Sequence, residues 1–160
     1  MGDQLELTTF CSGVGAAWAE RRTDVAIDGE VVIEAVALWV PIDPSGRPLR
    51  VRQDFFSVYG ESASGRRVSG RVPGPGDATH EASRRRWELR RSDLDVVGHV
   101  NNAALWLPMV EIADGPIAVA SMIHHRAVQG GDEVELCHRP GRLWLLVEGQ
   151  VAVSASFAGP

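Results

Sequence analysis

The chemistry this chain can do is concentrated in ten residues. The stretch "DLDVVGHVNN" sets Asp93, Asp95, Gly98, His99, Asn101 and Asn102 directly ahead of an apolar run, "AALWLPMVEIA". A carboxylate one turn before a helix can attack an electrophilic carbon or draw a proton from water, and an imidazole beside it can orient or donate. A helix start supplies what the electrophile needs, namely backbone N–H groups without intrahelical partners and about half an elementary positive charge. Gly98 has no side chain to block close approach of a bound group. Asp95 and His99 are therefore the candidate catalytic pair, and Gly98, Val100, Asn101 and Asn102 the candidate donors and substrate-binding residues. The same residue types are also ordinary turn and capping residues, and Asp93 and Asn101 suit a cap. Binding backbone at that cap is the plainer role for Asn101 and Asn102.

The apolar period changes around this motif in a way that predicts its supports. In "RRRWELRR" Trp87 and Leu89 share one face while Arg86, Glu88 and Arg90 share the other, which predicts a strand. "VNNAALWLPMVEIA" places Ala104, Leu105, Met109 and Ile112 at roughly helical spacing. Pro108 removes one backbone donor inside that pattern and should kink the helix or end its first part. "PIAVASMIHHRAV", "DEVELCHR", "RLWLLVEG" and "QVAVSASFA" follow as strand candidates, and in the last Val151, Val153, Ala155 and Phe157 fall on one face. A strand, one long helix and four strands predict an α+β unit over residues 84–160, an antiparallel sheet wrapped around the helix.

Ahead of it, residues 59–83 are rich in Gly, Ser and Pro and read as a linker. Residues 1–58 offer strands in "QLELTTFCSG" and "EVVIEAVALWVPID" but no clear helix. "GAAWAERR" has good helix propensity, yet it is short and lies among glycines, so periodicity does not settle it.

Composition narrows the function classes. A hydrophobic content of 44% with 23% charged residues excludes bulk disorder. A net charge of -5 argues against nucleic acid as the main partner, because phosphate binding needs a concentrated positive field. Cys11 and Cys137 match no metal spacing and read as reduced thiols. No apolar run approaches the roughly 20 residues that span a bilayer. The start "MGDQLELTTF" has no basic segment followed by an apolar one, so a cytoplasmic protein without a membrane partner is expected. His124 and His125 are neighbours on a predicted strand, point to opposite faces and cannot chelate one metal together; they read as core or rim histidines. Arg86 and Arg90 are either part of a solvated face or available to phosphates or an acidic partner. Trp18, Trp39, Trp106 and Trp144 read as core or interface residues.

A strand, D-x-D-x-x-G-H-V-N-N (Asp93, Asp95, Gly98, His99, Val100, Asn101, Asn102), a helix and four strands together resemble a hotdog-fold thioesterase. The closest resemblance is to the acyl-acyl-carrier-protein thioesterases, which are tandem hotdogs. It implies a complete second hotdog over 84–160 and a partial first one over 1–58. "GDQLELTTFCSGVGAAWAERR" and "EAVALWVPIDPSGRPLR" resemble later strands of that family's first repeat, which makes "GAAWAERR" strand.

The activity implied is release of a fatty or related acyl group from a phosphopantetheine thioester, without metal or other cofactor. Asp95 and His99 would be catalytic, and the N–H groups around Gly98, His99 and Val100 would polarise the thioester carbonyl. The acyl chain would lie beside the helix at Ala104, Leu105 and Met109, with Arg86 and Arg90 toward coenzyme A or the carrier protein.

The chain departs from the family's plant members at Val97, where they carry Asn, and near Val128, where they carry a catalytic Glu. The remaining Asp-x-x-Gly-His resembles the hydroxybenzoyl-CoA type, in which that Asp is nucleophile or base. A coenzyme A thioesterase and a non-catalytic acyl-binding or interaction domain are the alternatives. The partial first repeat leaves an apolar face, with Trp18, Val31, Ile33, Leu38 and Trp39 among its candidates, and so a homo-oligomer is expected.

Overall fold

The first forty positions are rich in Val, Ile, Thr and other strand-forming residues, and there the chain forms β1 (Glu6–Val14), β2 (Ala19–Ile27) and β3 (Glu30–Trp39), antiparallel and in the order β1-β2-β3. The computed structural model describes residues 2, 4–78 and 82–160, in two compact units, Met1–Val72 and Pro73–Pro160.

In the first unit the second half of "GAAWAERR" is strand. Gly15 to Trp18 form a turn closed by the Gly15 N–H on the Trp18 carbonyl at 2.8 Å, and β2 begins at Ala19. Pairing with strands on both sides overrides the helix propensity of these residues. Asp28 and Gly29, both at positive φ, make the two-residue turn into β3. Val31, Val32, Ile33, Val36 and Trp39 are exposed along β3. The expected apolar face is not one face, because Leu38 and Trp39 are consecutive in a strand and take opposite sides.

The sequence pattern offered no helix in this block, but the structure has one, α1 (Gln53–Tyr59). At seven residues it is too short for a periodic pattern to reveal. Phe55 and Phe56 pack on the small cluster of Cys11, Val14, Ala19 and Ala63. The segment beyond α1 is no linker as far as Val72. Ala63 is buried, and the Val68 N–H donates to Val14 at 3.1 Å. Residues 73–78 belong to the second unit, and residues 79–81 of the expected linker lie outside the described residues.

The second unit is one antiparallel sheet of β4 (Ser83–Trp87), β5 (Val119–His124), β6 (Val134–Arg139), β7 (Arg142–Val147) and β8 (Gln150–Ala158), in the order β4-β6-β7-β8-β5. Both faces of its centre are covered. One face carries Leu136, Leu143, Leu145, Val147 and Val153, and packs against Val100, Leu105, Met109 and Val128. The other carries Cys137, Trp144 and Leu146 with Ala82. There the indole N–H of Trp144 donates to the Gly76 carbonyl at 2.8 Å.

Two sequence expectations change here. The strict alternation of β8 breaks at a bulge, where Leu145 faces Val153 but Leu146 faces Val151. Ala152 is the extra residue, so Val151 turns to the Trp144 face while Ala152 and Val153 both face the helical side. The expected long helix is short. Ala104–Trp106 form a 3-10 turn and α2 covers only Leu107–Ile112. Pro108 sits in the first turn of α2, where its missing N–H has no intrahelical partner to lose, so it starts the α-helix rather than kinking a longer one.

Candidate active site

The motif between β4 and α2 is a tight hairpin built around one carboxylate. The Asp95 N–H donates to the His99 carbonyl at 2.8 Å, and the Gly98 N–H returns to the Asp95 carbonyl at 3.1 Å. Oδ1 of Asp95 accepts the N–H groups of Val97 at 2.9 Å and His99 at 3.0 Å. Gly98 closes the turn at φ +84, a conformation L side chains rarely adopt.

The hairpin is docked on the segment after β5. Val100 donates to the Val128 carbonyl at 2.7 Å, and Gly130 donates to the Gly98 carbonyl at 3.1 Å. Val100 and Val128 are buried at this seam. Asp93 is buried and serves as a cap: its Oδ2 accepts the Arg90 N–H at 2.8 Å, and its carbonyl accepts the Asn101 N–H at 2.7 Å. Asn101 caps the helical start through its side chain, whose Oδ1 accepts the Ala103 N–H at 2.8 Å.

These bonds answer where the backbone donors go. The N–H groups of Gly98, His99 and Val100 are all used within the loop and its seam, so they do not form an open donor set for a carbonyl oxygen. Among the described residues, the N–H of Asn102 donates to no protein acceptor, and Asn102 borders the cavity described next.

A cavity of about 520 Å³ opens beside the hairpin. Asp95, His99, Asn101 and Asn102 border it from the motif, and His124 and Arg126 border it from the end of β5. Val100, Leu105 and Val128 supply apolar wall. Asp95 and His99, read as a pair from the sequence, are thus brought to one space.

His124 and Arg126 were not anticipated there. Strand alternation carries the missing signal: Met122, two residues before His124, packs on the helical side of the sheet, and His124 follows it to that side. His125 takes the other side, its Nε2 at 2.9 Å from the Ser154 Oγ, so the two histidines do point apart. His124 is exposed overall, but partial burial of its imidazole, and the adjacent His125, hold its pKa below the usual histidine value and favour the neutral ring. Arg126 has only long ion-pair contacts, at 3.9 Å to Asp132 and 4.0 Å to Glu148.

Other sequence candidates lie elsewhere. Leu105 borders both the core and the cavity, whereas Met109 is 1% exposed inside the core and Ala104 packs against that core. Arg86 pairs with Glu88 at 2.9 Å and borders a separate cavity with Glu133, Glu135 and Glu148. Arg90 pairs with Asp93 at 3.6 Å. Val97 is exposed, and Val128 is 1% exposed and meets the seam only through its carbonyl, which accepts the Val100 N–H. Burial pushes the Cys137 thiol up to about 11, which removes it as a nucleophile at neutral pH. Among the described residues no three His, Cys, Asp or Glu side chains gather to hold a metal ion, and no helix is long and apolar enough to cross a membrane.

Residues 76–150, which contain the hairpin, the cavity and most of the sheet, match the family model of the acyl-ACP thioesterase C-terminal domain. The match covers 75 of the 160 residues, a little under half of the chain. Solved structures resemble the chain over nearly its whole length. A Lactobacillus plantarum protein assigned as an oleoyl thioesterase superposes with a TM-score of 0.79 at 15% identity, over 97% of this chain and 68% of its own. An acyl-ACP thioesterase from Bacteroides thetaiotaomicron gives 0.75 at 15% identity, over 97% and 68%. The 12:0-ACP thioesterase from Umbellularia californica gives 0.73 at 16% identity, over 98% and 67%. At these identities the likeness establishes the fold, and the hotdog architecture with its α+β class is that fold. No curated protein sequence matches the chain.

Proposed function

We propose that this chain is an acyl-ACP thioesterase-like hydrolase that releases a fatty or related acyl group from a phosphopantetheine thioester. The observation that carries the reading is the state of Asp95. Its Oδ1 is held by two backbone N–H groups, while its Oδ2 has no protein donor among the described residues, and the residue borders a cavity shared with His99 within the residues that match the acyl-ACP thioesterase C-terminal domain model. A carboxylate fixed by one oxygen and open at the other is placed to attack a thioester carbonyl or to orient and activate water. His99 orients the substrate or the water. The Asn102 N–H, at the start of the helical segment, is the backbone donor left for the carbonyl oxygen as charge develops on it.

The acyl chain runs past Leu105, the one residue of the expected channel that borders both cavity and core. Homo-oligomer formation is supported by the exposed Val31, Ile33 and Trp39 of β3.

The test is release of free thiol from acyl-carrier-protein and acyl-coenzyme A substrates by wild type and Asp95→Asn. Turnover that is faster on the carrier protein and lost in Asp95→Asn supports the reading. Faster turnover on coenzyme A shifts the substrate to the second carrier. Binding of acyl thioesters without turnover makes the chain an acyl-binding domain.

A further inference from the structure

We propose that His124 carries the proton through the hydrolysis, taking it from the attacking water and delivering it to the departing sulfur; this rests on the thioesterase reading of the same cavity. His124 reaches the cavity from the end of β5, while Asp95 and His99 border it from the hairpin. Its side is fixed by the sheet. Met122 lies on the helical face, Ile123 approaches Gly74 on the other, and His125 on that same other face meets Ser154. A one-residue slip of β5 against β8 is opposed by six paired positions, from Val119–Ala158 to His124–Val153. The bulge at Ala152 fixes the end of β5 as well, because the Ala152 carbonyl accepts the N–H groups of His125 at 2.8 Å and Arg126 at 3.3 Å.

The division of labour follows from what the groups already do. Asp95 has one oxygen committed to its own loop, and Val128, on the seam, has no side-chain base. Among the described residues the charged or titratable side chains bordering the cavity are Asp95, His99, His124 and Arg126, with His125 adjacent in sequence but turned to the other face. An imidazole that enters the cycle neutral can accept a proton, and the Asp95 carboxylate bordering the same cavity stabilises the imidazolium that results.

The balance is simple. Water oxygen bonds to the thioester carbon and one water proton passes to His124. The C–S bond breaks as the tetrahedral adduct collapses, and the thiolate takes that proton. The carboxylic acid loses its own proton to solvent, and the imidazole is neutral again. Arg126 lies beside the same wall and favours the anionic product oxygen.

The test uses the full chain and steady-state kinetics from pH 5 to 9 on the better of the two thioester substrates. Variants are His124→Gln, His124→Asn, His124→Ala and Asp95→Asn, each checked for an unchanged thermal midpoint. The expected result is that His124→Gln and His124→Asn each lower kcat by about two to four orders of magnitude with KM within a few-fold. The acid limb of the kcat–pH profile should disappear with them. Added imidazole should restore part of the rate to His124→Ala and none to Asp95→Asn. A His124→Gln or His124→Asn variant that folds and keeps kcat within about five-fold overturns the proposal, as does an unchanged acid limb. Loss of turnover in Asp95→Asn with normal turnover in both His124 variants overturns it alone and leaves the thioesterase reading standing. A wild-type chain inert toward every acyl thioester overturns both.

Discussion

Replacing Asp95 in two ways separates its work in the loop from its work in the cavity. Asparagine keeps a carbonyl oxygen where Oδ1 stands, so the N–H groups of Val97 and His99 at 2.9 and 3.0 Å retain an acceptor. Alanine removes the acceptor and leaves both donors to water. The loop is exposed at Asp95, so each lost bond belongs at the low end of the usual range, about 0.5–1 kcal/mol. Asp95→Ala should therefore destabilise by about 1–2 kcal/mol and Asp95→Asn by less than about 0.5 kcal/mol. For a chain of this length the larger figure corresponds to a fall in Tm of roughly 4–8 °C.

Turnover should fall by about two to four orders of magnitude in both, since both lack the open carboxylate oxygen. Thermal unfolding by circular dichroism and thiol release from an acyl thioester give the two readouts. Two results refute the reasoning. If Asp95→Asn melts with Asp95→Ala, the two N–H bonds do not hold the hairpin. If Asp95→Asn hydrolyses at the wild-type rate, the carboxylate takes no part in the reaction.

Three further expectations rest on other residues. Met109→Ala should cost about 2–5 kcal/mol because Met109 is enclosed by the core, yet leave acyl-chain preference unchanged, while Leu105→Phe should shift preference to shorter chains; product analysis with mixed acyl thioesters reads both. Gly98→Ala should cost about 1–2 kcal/mol from backbone conformation alone, since the added Cβ meets nothing within 4 Å; chemical denaturation measures it, and a stabilised variant refutes it. His124 has a folded-state pKa below 6.5, so as pH falls through that value the unfolded chain takes up the proton first and stability drops; wild type should lose stability between pH 7 and 5 relative to His124→Gln in urea titrations, with the difference constant above pH 7.

The succession of strands along the second unit, though not their order in the sheet, was legible because the strands are separated at visible turns. The Arg-Pro-Gly before β7 and the Glu-Gly before β8 are examples, and Gly141, Glu148 and Gly149 indeed take positive φ. The length of the helix was not legible. Ala104, Leu105, Met109 and Ile112 keep helical spacing through a 3-10 turn as well as through α2, and spacing alone does not distinguish one continuous helix from two short segments. The face of Val151 was hidden for a related reason, because a bulge adds a residue without altering the pattern of types. The short α1 left no trace because two phenylalanines are its only docking residues. His124 was judged by whether it could share a metal with His125, and the same alternation that answered that question also assigns His124 to the motif's side of the sheet. Which N–H groups are spoken for is a tertiary fact: the Val100 donor is lost to Val128, twenty-eight residues away, and no local pattern announces that bond.

Capping and catalysis were competing accounts of the polar cluster, and the geometry divides them by atom rather than by residue. Asp93 and the Asn101 side chain are occupied in caps. Asp95 belongs to both accounts at once, since the bonds that make it a turn residue reach only Oδ1. Those bonds also limit how Oδ2 can move, because a carboxylate anchored by two backbone donors has lost most of its freedom about its side-chain torsions. A base or nucleophile must be held near its productive geometry by groups other than the substrate, or binding must supply that ordering on every turnover. On the proposed reading, the turn that Gly98 permits fixes the reactive oxygen, and a sequence that places acids, glycine and asparagines ahead of a short, half-buried helix uses its turn residues to aim one carboxylate.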